Sequence, residues 1–348
     1  MAPVNLIDID LIDNSGPVGQ DIPLQPAHPV ERLRNVVRDG FSMTGQRLRE
    51  LPGQLRDPIG LVNRSVQQMN VVPDSQRDEY LDSIAALPKV LREASVAVVA
   101  LSHVDYRTGE RLDMAQVTEL AHRHGATVLW DLSHSAGAVG VDLAGCDVDF
   151  AVASGYKYLC GGPGASALLY VHPRWQSAAW PAICGWMGHA DAFALDPDYA
   201  PAAGIDRQLA GTPAVIANAA WRAAAEIWRR VDRDAMDARH RSLGETFIRL
   251  VDEQCAGLGV AIASPRAHAL RGGHVTLRMA APDRDVSALA RALTAAKVMV
   301  SPREPDALRF GIHPLATRHA DLWTAVQRLR RILEQDHPPV GGGDATPA

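Results

Sequence analysis

At 348 residues the chain is long enough for one large or two medium domains with a real core. The hydrophobic share is 47% and the charged share 22%, as in a globular protein, and a net charge of −5 argues against a nucleic-acid partner. The acidic opening MAPVNLIDIDLIDN does not read as a secretory leader, no apolar run is long enough to span a membrane, and four scattered cysteines without a CxxC pattern point to a reducing cytoplasm and to no metal site.

Residues 1–30 are rich in Pro and Asp and read as an irregular arm. Residues 30–65 are helical in pieces, interrupted by Pro52 and Pro58. VQQMNVV (66–72) is a candidate strand, and QRDEYLDSIAALPKVLRE after it has helical spacing. VAVVALSHV (96–104) is a continuous apolar run, the mark of a strand buried on both faces. Tyr106-Arg107-Thr108-Gly109 is a turn, MAQVTELAHRHG (114–125) a helix with a Gly stop, and TVLWD the next strand, which together make a βαβ unit. VDFAVAS and SALLYV (166–171) add two strands around the loop Gly161-Gly162-Pro163-Gly164.

After Pro173 the pattern changes. Residues 174–212 are loop-rich and include GWMGH (185–189). Thr212-Pro213 reads as a cap with proline at the first position of a helix running to Val231. A second helix spans about Asp234 to Ala256. HVTLRM, VMVSPRE and ALRFGIHP are short strands, VSALARALTAAK and HADLWTAVQRLRRILEQ helices. The expected organisation is an N-terminal arm with helices (1–65), a large mostly parallel α/β domain (66–212), a smaller α+β domain (213–336) and a disordered tail (337–348).

Three residues stand where such a sheet binds ligands. Asp131 ends the TVLWD strand, His134 follows three residues later, and Lys157 lies just beyond VDFAVAS. A lysine after a strand is ordinarily a solvated charge. Here two tyrosines flank it, a glycine-rich loop follows it, and an acid ends the preceding strand. A pyridoxal phosphate enzyme needs such a pair: the acid keeps the pyridine nitrogen protonated and the lysine forms the Schiff base. Asp131 could instead cap its own turn, and His134 bond locally. Tyr156 offers a hydroxyl to a phosphate, though tyrosine is also common in cores. Trp186 and His189 lie in a loop, where an aromatic marks a binding surface. Arg309, in LRFGIHP, is in the ordinary case a surface arginine, but an amino-acid substrate needs a planar fork for its carboxylate and arginine supplies it. Thr212 is either a plain cap or sits where a helix N-terminus meets an anion. His122 and His124 are two apart on a helix and do not face each other, so no metal is expected there.

These motifs resemble kynureninase, a fold-type-I pyridoxal phosphate enzyme of the class V aminotransferase group. The resemblance runs through WDLSHSAGAVGVDL, DFAVASGYKYLCGGPGASALLYVHP, GWMGH, GIDRQLAGTPAV, SPRAHALRGGHV and SPREPDALRFGIHPL, roughly residues 95–335. It implies the PLP-transferase fold with a large, mostly parallel sheet and a smaller α+β C-terminal domain. It also implies a homodimer that acts on a small amino-acid substrate, with no nucleic acid or membrane as partner. The implied cofactor is pyridoxal 5'-phosphate. Lys157 looks like the Schiff-base lysine, Asp131 the acid at the pyridine nitrogen, and His134 its neighbour near the ring. Tyr156 is similar to the tyrosine that contacts the phosphate and assists proton transfer. Trp186 and Thr212 resemble residues lining the phosphate and substrate region. Arg309 resembles the arginine that holds the α-carboxylate, with His103 on the substrate side. The implied reaction is hydrolysis of the Cβ–Cγ bond of L-kynurenine, giving anthranilate and L-alanine.

The N-terminal third departs from the family pattern. LIDNSGPVG, RELPGQLRDPIGLV and MNVVPDS resemble family segments, but a block between about Asn63 and Gln67 is missing. In the family that block grips the phosphate, so cofactor binding is expected to be weakened and the sheet reduced. Three readings follow: a kynureninase-like hydrolase, a degenerate homologue serving as partner or scaffold, and an enzyme that uses the old pocket for another ligand.

Overall fold

The computed structural model describes residues 87–93, 96–194, 198–281 and 284–336, all within one compact unit. The expected arm and early helices (1–65), the strand at 66–72, the block near residues 63–67 and the tail at 337–348 lie outside the described residues.

The described chain opens with helix α1 over residues 87–93. Strand β1 (Val98–Ser102) follows, narrower than the apolar run that signals it; Val104 forms only an isolated bridge to Arg111. Helix α2 (Met114–Arg123) starts where the Asp113 side chain accepts from Gln116 N–H. It stops at Gly125, which holds a φ of 77° that suits glycine. Strands β2 (Thr127–Asp131) and β3 (Phe150–Ala153) run parallel to β1 in the order β1-β2-β3. Strand β4 (Leu168–Val171) then pairs antiparallel with β3. Trp130 of β2 is fully buried beneath α2, and its Nε1 donates to Thr118 Oγ1 at 3.1 Å, so the largest core side chain has its one polar atom satisfied.

A short helix α3 (Pro173–Gln176) begins the stretch expected to be loop-rich, and 3-10 turns at Trp186–Gly188 and Gly204–Gln208 interrupt it. Helix α4 (Val215–Trp228) begins two residues later than the sequence suggests. Its cap is Ala214, without a side-chain bond, so Thr212 caps nothing. Pro213 disfavours helical backbone at the residue before it, which keeps Thr212 outside the helix. Helix α5 (Arg233–Gln254) is capped by Asp232, whose carboxylate accepts from Ala235 N–H.

The second sheet is antiparallel throughout, in the order β5-β6-β8-β7. Its strands are β5 (Val260–Ile262), β6 (His274–Met279), β7 (Ser301–Arg303) and β8 (Ala307–Gly311). Strand β5 is three residues long, too short to leave a periodic signal. Helices α5, α6 (Val286–Ala295) and α7 (His319–Asp336) build the core on this sheet, with Leu243, Phe247, Leu277, Leu293, Phe310 and Leu329 fully buried.

The two sheets are joined by the turn after β1. Asp105 Oδ1 accepts from Arg107 N–H, Thr108 N–H and Thr108 Oγ1–H, which shapes the turn. Its carbonyls then face the C-terminal sheet: Tyr106 O accepts from Arg309 Nη1 at 2.9 Å, Arg107 O from Thr276 Oγ1 at 2.5 Å, Thr108 O from Ser264 Oγ at 2.5 Å and Gly109 O from Gly272 N–H at 2.8 Å. The Arg107 side chain is buried and donates to Glu304 O and Asp306 Oδ1. A Cβ on Gly109 would lie 2.9 Å from His274 O, so the contact requires glycine.

At the opposite edge of the first sheet, before β3, Asp149 has its side chain 2% exposed. It accepts from His122 Nε2, Val128 N–H, Arg174 Nε and Nη2, and Trp175 Nε1. Burial alone would raise its pKa; the bonds from Trp175, His122, Arg174 and Val128 outweigh it and hold the carboxyl below its usual range. Its stabilisation is therefore complete above the unfolded carboxylate pKa and is lost as pH falls through the folded one. Asp149→Ala leaves several buried donors unpaired and is expected to lower stability by roughly 3–5 kcal/mol, read as a lower urea midpoint at neutral pH; an unchanged midpoint would refute the assignment.

Candidate active site

Because β1, β2 and β3 are parallel, their carboxyl ends share one edge of the sheet. His103 follows β1, Asp131 ends β2, and Lys157 lies four residues beyond β3. The loops are tied together: His103 N–H donates to Asp131 O at 2.9 Å, and Ser154 N–H to Ser133 Oγ at 3.2 Å. Asp131 is half-buried, and its Oδ1 accepts from Ser133 N–H at 2.8 Å.

His134 is the meeting point. Its Nε2 lies 3.2 Å from Lys157 Nζ and 3.4 Å from Arg309 Nη1. Both neighbours are donors, so this nitrogen is the acceptor and Nδ1 carries the proton. Arg309 is buried in the middle of β8, with Nη1 also on Tyr106 O. The Tyr156 ring centroid lies 5.7 Å from Lys157 Nζ. His274, the first residue of β6, sets its ring edge-on to His134 at 5.9 Å. The structure thus gathers Lys157, Tyr156, His134 and Arg309, with Asp131 on the same loop as His134.

His103 is buried with its ring edge-on to Trp130 at 5.8 Å. Burial, helped by the charge of Arg111, lowers its pKa to about 4. Trp186 lies in a 3-10 turn, 42% exposed, with its ring 5.6 Å from Phe193. Thr212 is exposed. Met187 N–H donates to Ala210 O at 3.0 Å, which joins the Trp186 turn to the Thr212 segment.

Sequence reasoning missed three contributors. Tyr106 anchors Arg309 through its carbonyl, His274 borders His134, and His313 donates from Nε2 to Tyr158 O at 2.8 Å. Each is brought in from far along the chain and leaves no local spacing signal; a histidine after the RGG of SPRAHALRGGHV was the one available hint.

The model of the kynureninase C-terminal domain matches residues 236–329. Kynureninase of Deinococcus radiodurans is 42% identical over 244 residues, which cover 70% of this chain and 58% of that protein. Kynureninase of Pseudomonas fluorescens is 38% identical over 255 residues, 73% of this chain and 60% of that protein. The chain is homologous to kynureninases. It spans about three-fifths of the length of the curated relatives it matches. Among solved structures it is similar to the apo form of a cysteine desulfurase from Thermococcus onnurineus, with a TM-score of 0.62 and 20% identity over 72% of this chain and 63% of that one. It is also similar to the cystine C-S lyase C-DES in complex with cysteine persulfide, with a TM-score of 0.61 and 23% identity over 71% of this chain and 64% of that one. The fold is therefore fold type I, as the motifs imply.

The buried His103 predicts an acid sensitivity. The unfolded chain takes up a proton at this residue near pH 6.5, the folded chain only near 4. Stability is then full above pH 6.5 and falls between 6.5 and 4, by at most about 3 kcal/mol. Urea midpoints across that range should fall less steeply for His103→Gln than for the wild type; equal slopes would remove His103 as a cause.

Proposed function

We propose that this protein is a pyridoxal phosphate-dependent hydrolase that cleaves the Cβ–Cγ bond of L-kynurenine, or of a ring-substituted kynurenine, to an anthranilate and L-alanine. The observation that carries this reading is the convergence of Lys157 Nζ and Arg309 Nη1 on His134 Nε2, beside the strand end that bears Asp131. The residues fit the cofactor: a half-buried amine and a carboxylate stand on neighbouring parallel strand ends, with a basic fork opposite. Lys157 would hold its carbonyl carbon and Asp131 its pyridine nitrogen, with His134 beside the ring. Tyr156, Trp186 and Thr212 are the candidates for its phosphate side. When bound, the cofactor supplies a sink for the electron pair released at the substrate's Cα.

The chain's own groups do the rest. Arg309, held by Tyr106 O, presents its fork to the substrate α-carboxylate. Lys157 Nζ removes the Cα proton and later returns one. His134 Nε2 holds the free amine between proton transfers. His103 and Trp186 border the aryl end of the substrate. Water adds to the ketone, the Cβ–Cγ bond breaks, and the two halves leave as acid and amino acid. A scaffold that has lost its cofactor is not favoured, because such a chain has no need to keep lysine, acid and arginine converging.

The active species is a homodimer in the cytoplasm. Helix α4 leaves Val215, Ile216 and Ile227 largely exposed, an apolar face that a second copy of the chain would cover.

Borohydride treatment with added pyridoxal phosphate should leave a covalent adduct on Lys157, and kynurenine should yield fluorescent anthranilate. Lys157→Ala should abolish both. Arg309→Ala should keep the adduct while raising KM about a hundredfold, the equivalent of two lost charge-assisted hydrogen bonds. Neither adduct nor product from the wild type would sink the reading.

A further inference from the structure

We infer that His313 is a positioning residue that fixes the Lys157 amine by gripping the next carbonyl in the chain. His313 is buried two residues beyond β8, the strand that carries Arg309. Its Nε2 lies 2.8 Å from Tyr158 O. Leu315 N–H donates to Nδ1 at 3.1 Å, so Nδ1 is the acceptor and Nε2 carries the proton. The bond therefore runs from His313 Nε2–H to Tyr158 O. Burial keeps the ring neutral by lowering its pKa.

Tyr158 directly follows Lys157, and its other contacts leave the peptide little freedom. Its hydroxyl donates to Gly273 O at 2.8 Å, its ring lies 5.6 Å from the His313 ring, and Trp228 Nε1 donates to Leu159 O at 2.9 Å. A Cβ on Gly137 would come 2.7 Å from Tyr158 O, so the 133–139 turn presses on the same carbonyl. One short segment, Arg309 to His313, thus touches His134 with its first residue and, with its last, the Tyr158 carbonyl one residue beyond Lys157. It sets the spacing between the amine and the carboxylate fork. The Cys160 thiol lies 3.1 Å from the same Nε2 and 3.4 Å from Tyr158 O, within the turn that Cys160 N–H closes onto Lys157 O. This inference rests on the functional reading only in taking Lys157 as the reactive amine.

The chain has three lysines, Lys89, Lys157 and Lys297, so amine reactivity can be read residue by residue. The test is competitive acetylation with acetic anhydride and peptide mapping, with exposed Lys89 and Lys297 as internal references. His313→Leu removes the donor, His313→Asn holds an amide one atom short, and His313→Gln carries one at the reach of Nε2. Lys157 reactivity relative to the references should change by at least about threefold in the Leu and Asn variants and return to the wild-type value in the Gln variant. With cofactor loaded, kcat should fall about tenfold in the first two with KM little changed, and recover in the third. Unchanged Lys157 reactivity in a folded Leu or Asn variant overturns the proposal, as does failure of Gln to rescue. If the Leu variant does not fold, the Asn and Gln pair decides; if none of the three folds, the role is structural and the proposal falls. Absence of a cofactor adduct on the wild type would sink the functional reading alone, and the acetylation contrast would still decide the role of His313.

Discussion

Four successive backbone carbonyls, from Tyr106 to Gly109, all find their donors in the C-terminal sheet and the loops beside it. A buried carbonyl without a partner costs about 1–3 kcal/mol, so the turn cannot leave that surface cheaply. The Asp105 carboxylate prepares the row by taking the N–H groups of Arg107 and Thr108. Everything else about the site follows from this seam. Together with the bonds from the Tyr158 hydroxyl to Gly273 O and from His313 to Tyr158 O, it brings the antiparallel sheet within reach of the carboxyl edge. It also fixes Arg309, because one of the four donors is that residue's own guanidinium.

The two sheets then divide the chemistry. The parallel sheet supplies a carboxylate and an amine at adjacent strand ends, which follows from direction alone: parallel strands deliver successive ends to one edge. Among the described residues, the arginine of the turn after β1, Arg107, is already committed to Glu304 O and Asp306 Oδ1. The antiparallel sheet supplies the carboxylate fork but has no acid and amine to set beside it. His134 is where the two contributions meet, and the meeting is chemically asymmetric. One imidazole nitrogen faces two donors, so the histidine acts there as a base-side contact and its proton stays on the far nitrogen.

Much of this was legible in the sequence. The run before Ser102, the run ending in Asp131 and the FAVA strand are apolar enough to read as strands with no competing helix period, but burial on both faces is not met: Val99, Val128, Trp130, Ala151 and Ala153 are buried and the residues between them half-buried. The helices α2, α5 and α6 were legible from their apolar spacing, but their caps Asp113, Asp232 and Asp285, each accepting from the amide three residues on, come from the structure. Thr212 failed as a cap: Pro213 looks like a first helical residue, yet it also restrains the residue before it, and the helix waits until Val215. Strand β4 shows its apolar content but not its antiparallel direction, which only its pairing with β3 decides. The seam was seen as a turn and no more. Its donors at 264, 272, 276 and 309 lie more than 150 residues away, and no periodicity spans that distance.

On the functional reading proposed above, reaction and retention of the cofactor use different parts of the chain. The amine, the acid and the carboxylate fork are half-buried or buried, and each has a partner: Lys157 meets His134, Asp131 accepts from Ser133 N–H, and Arg309 donates across to Tyr106 O. The candidates for the phosphate side, Trp186 and Thr212, lie on exposed segments joined to each other through Met187 N–H and Ala210 O. Those segments continue into the bare apolar surface of Leu209, Val215 and Ile216. A phosphate held against an exposed surface competes with water for every hydrogen bond it makes, and each such bond is weaker for it. A second copy of the chain laid over that surface would remove the water and strengthen those bonds without adding a residue. In the proposed homodimer the exposed apolar residues and the exposed phosphate-side residues would therefore be covered together.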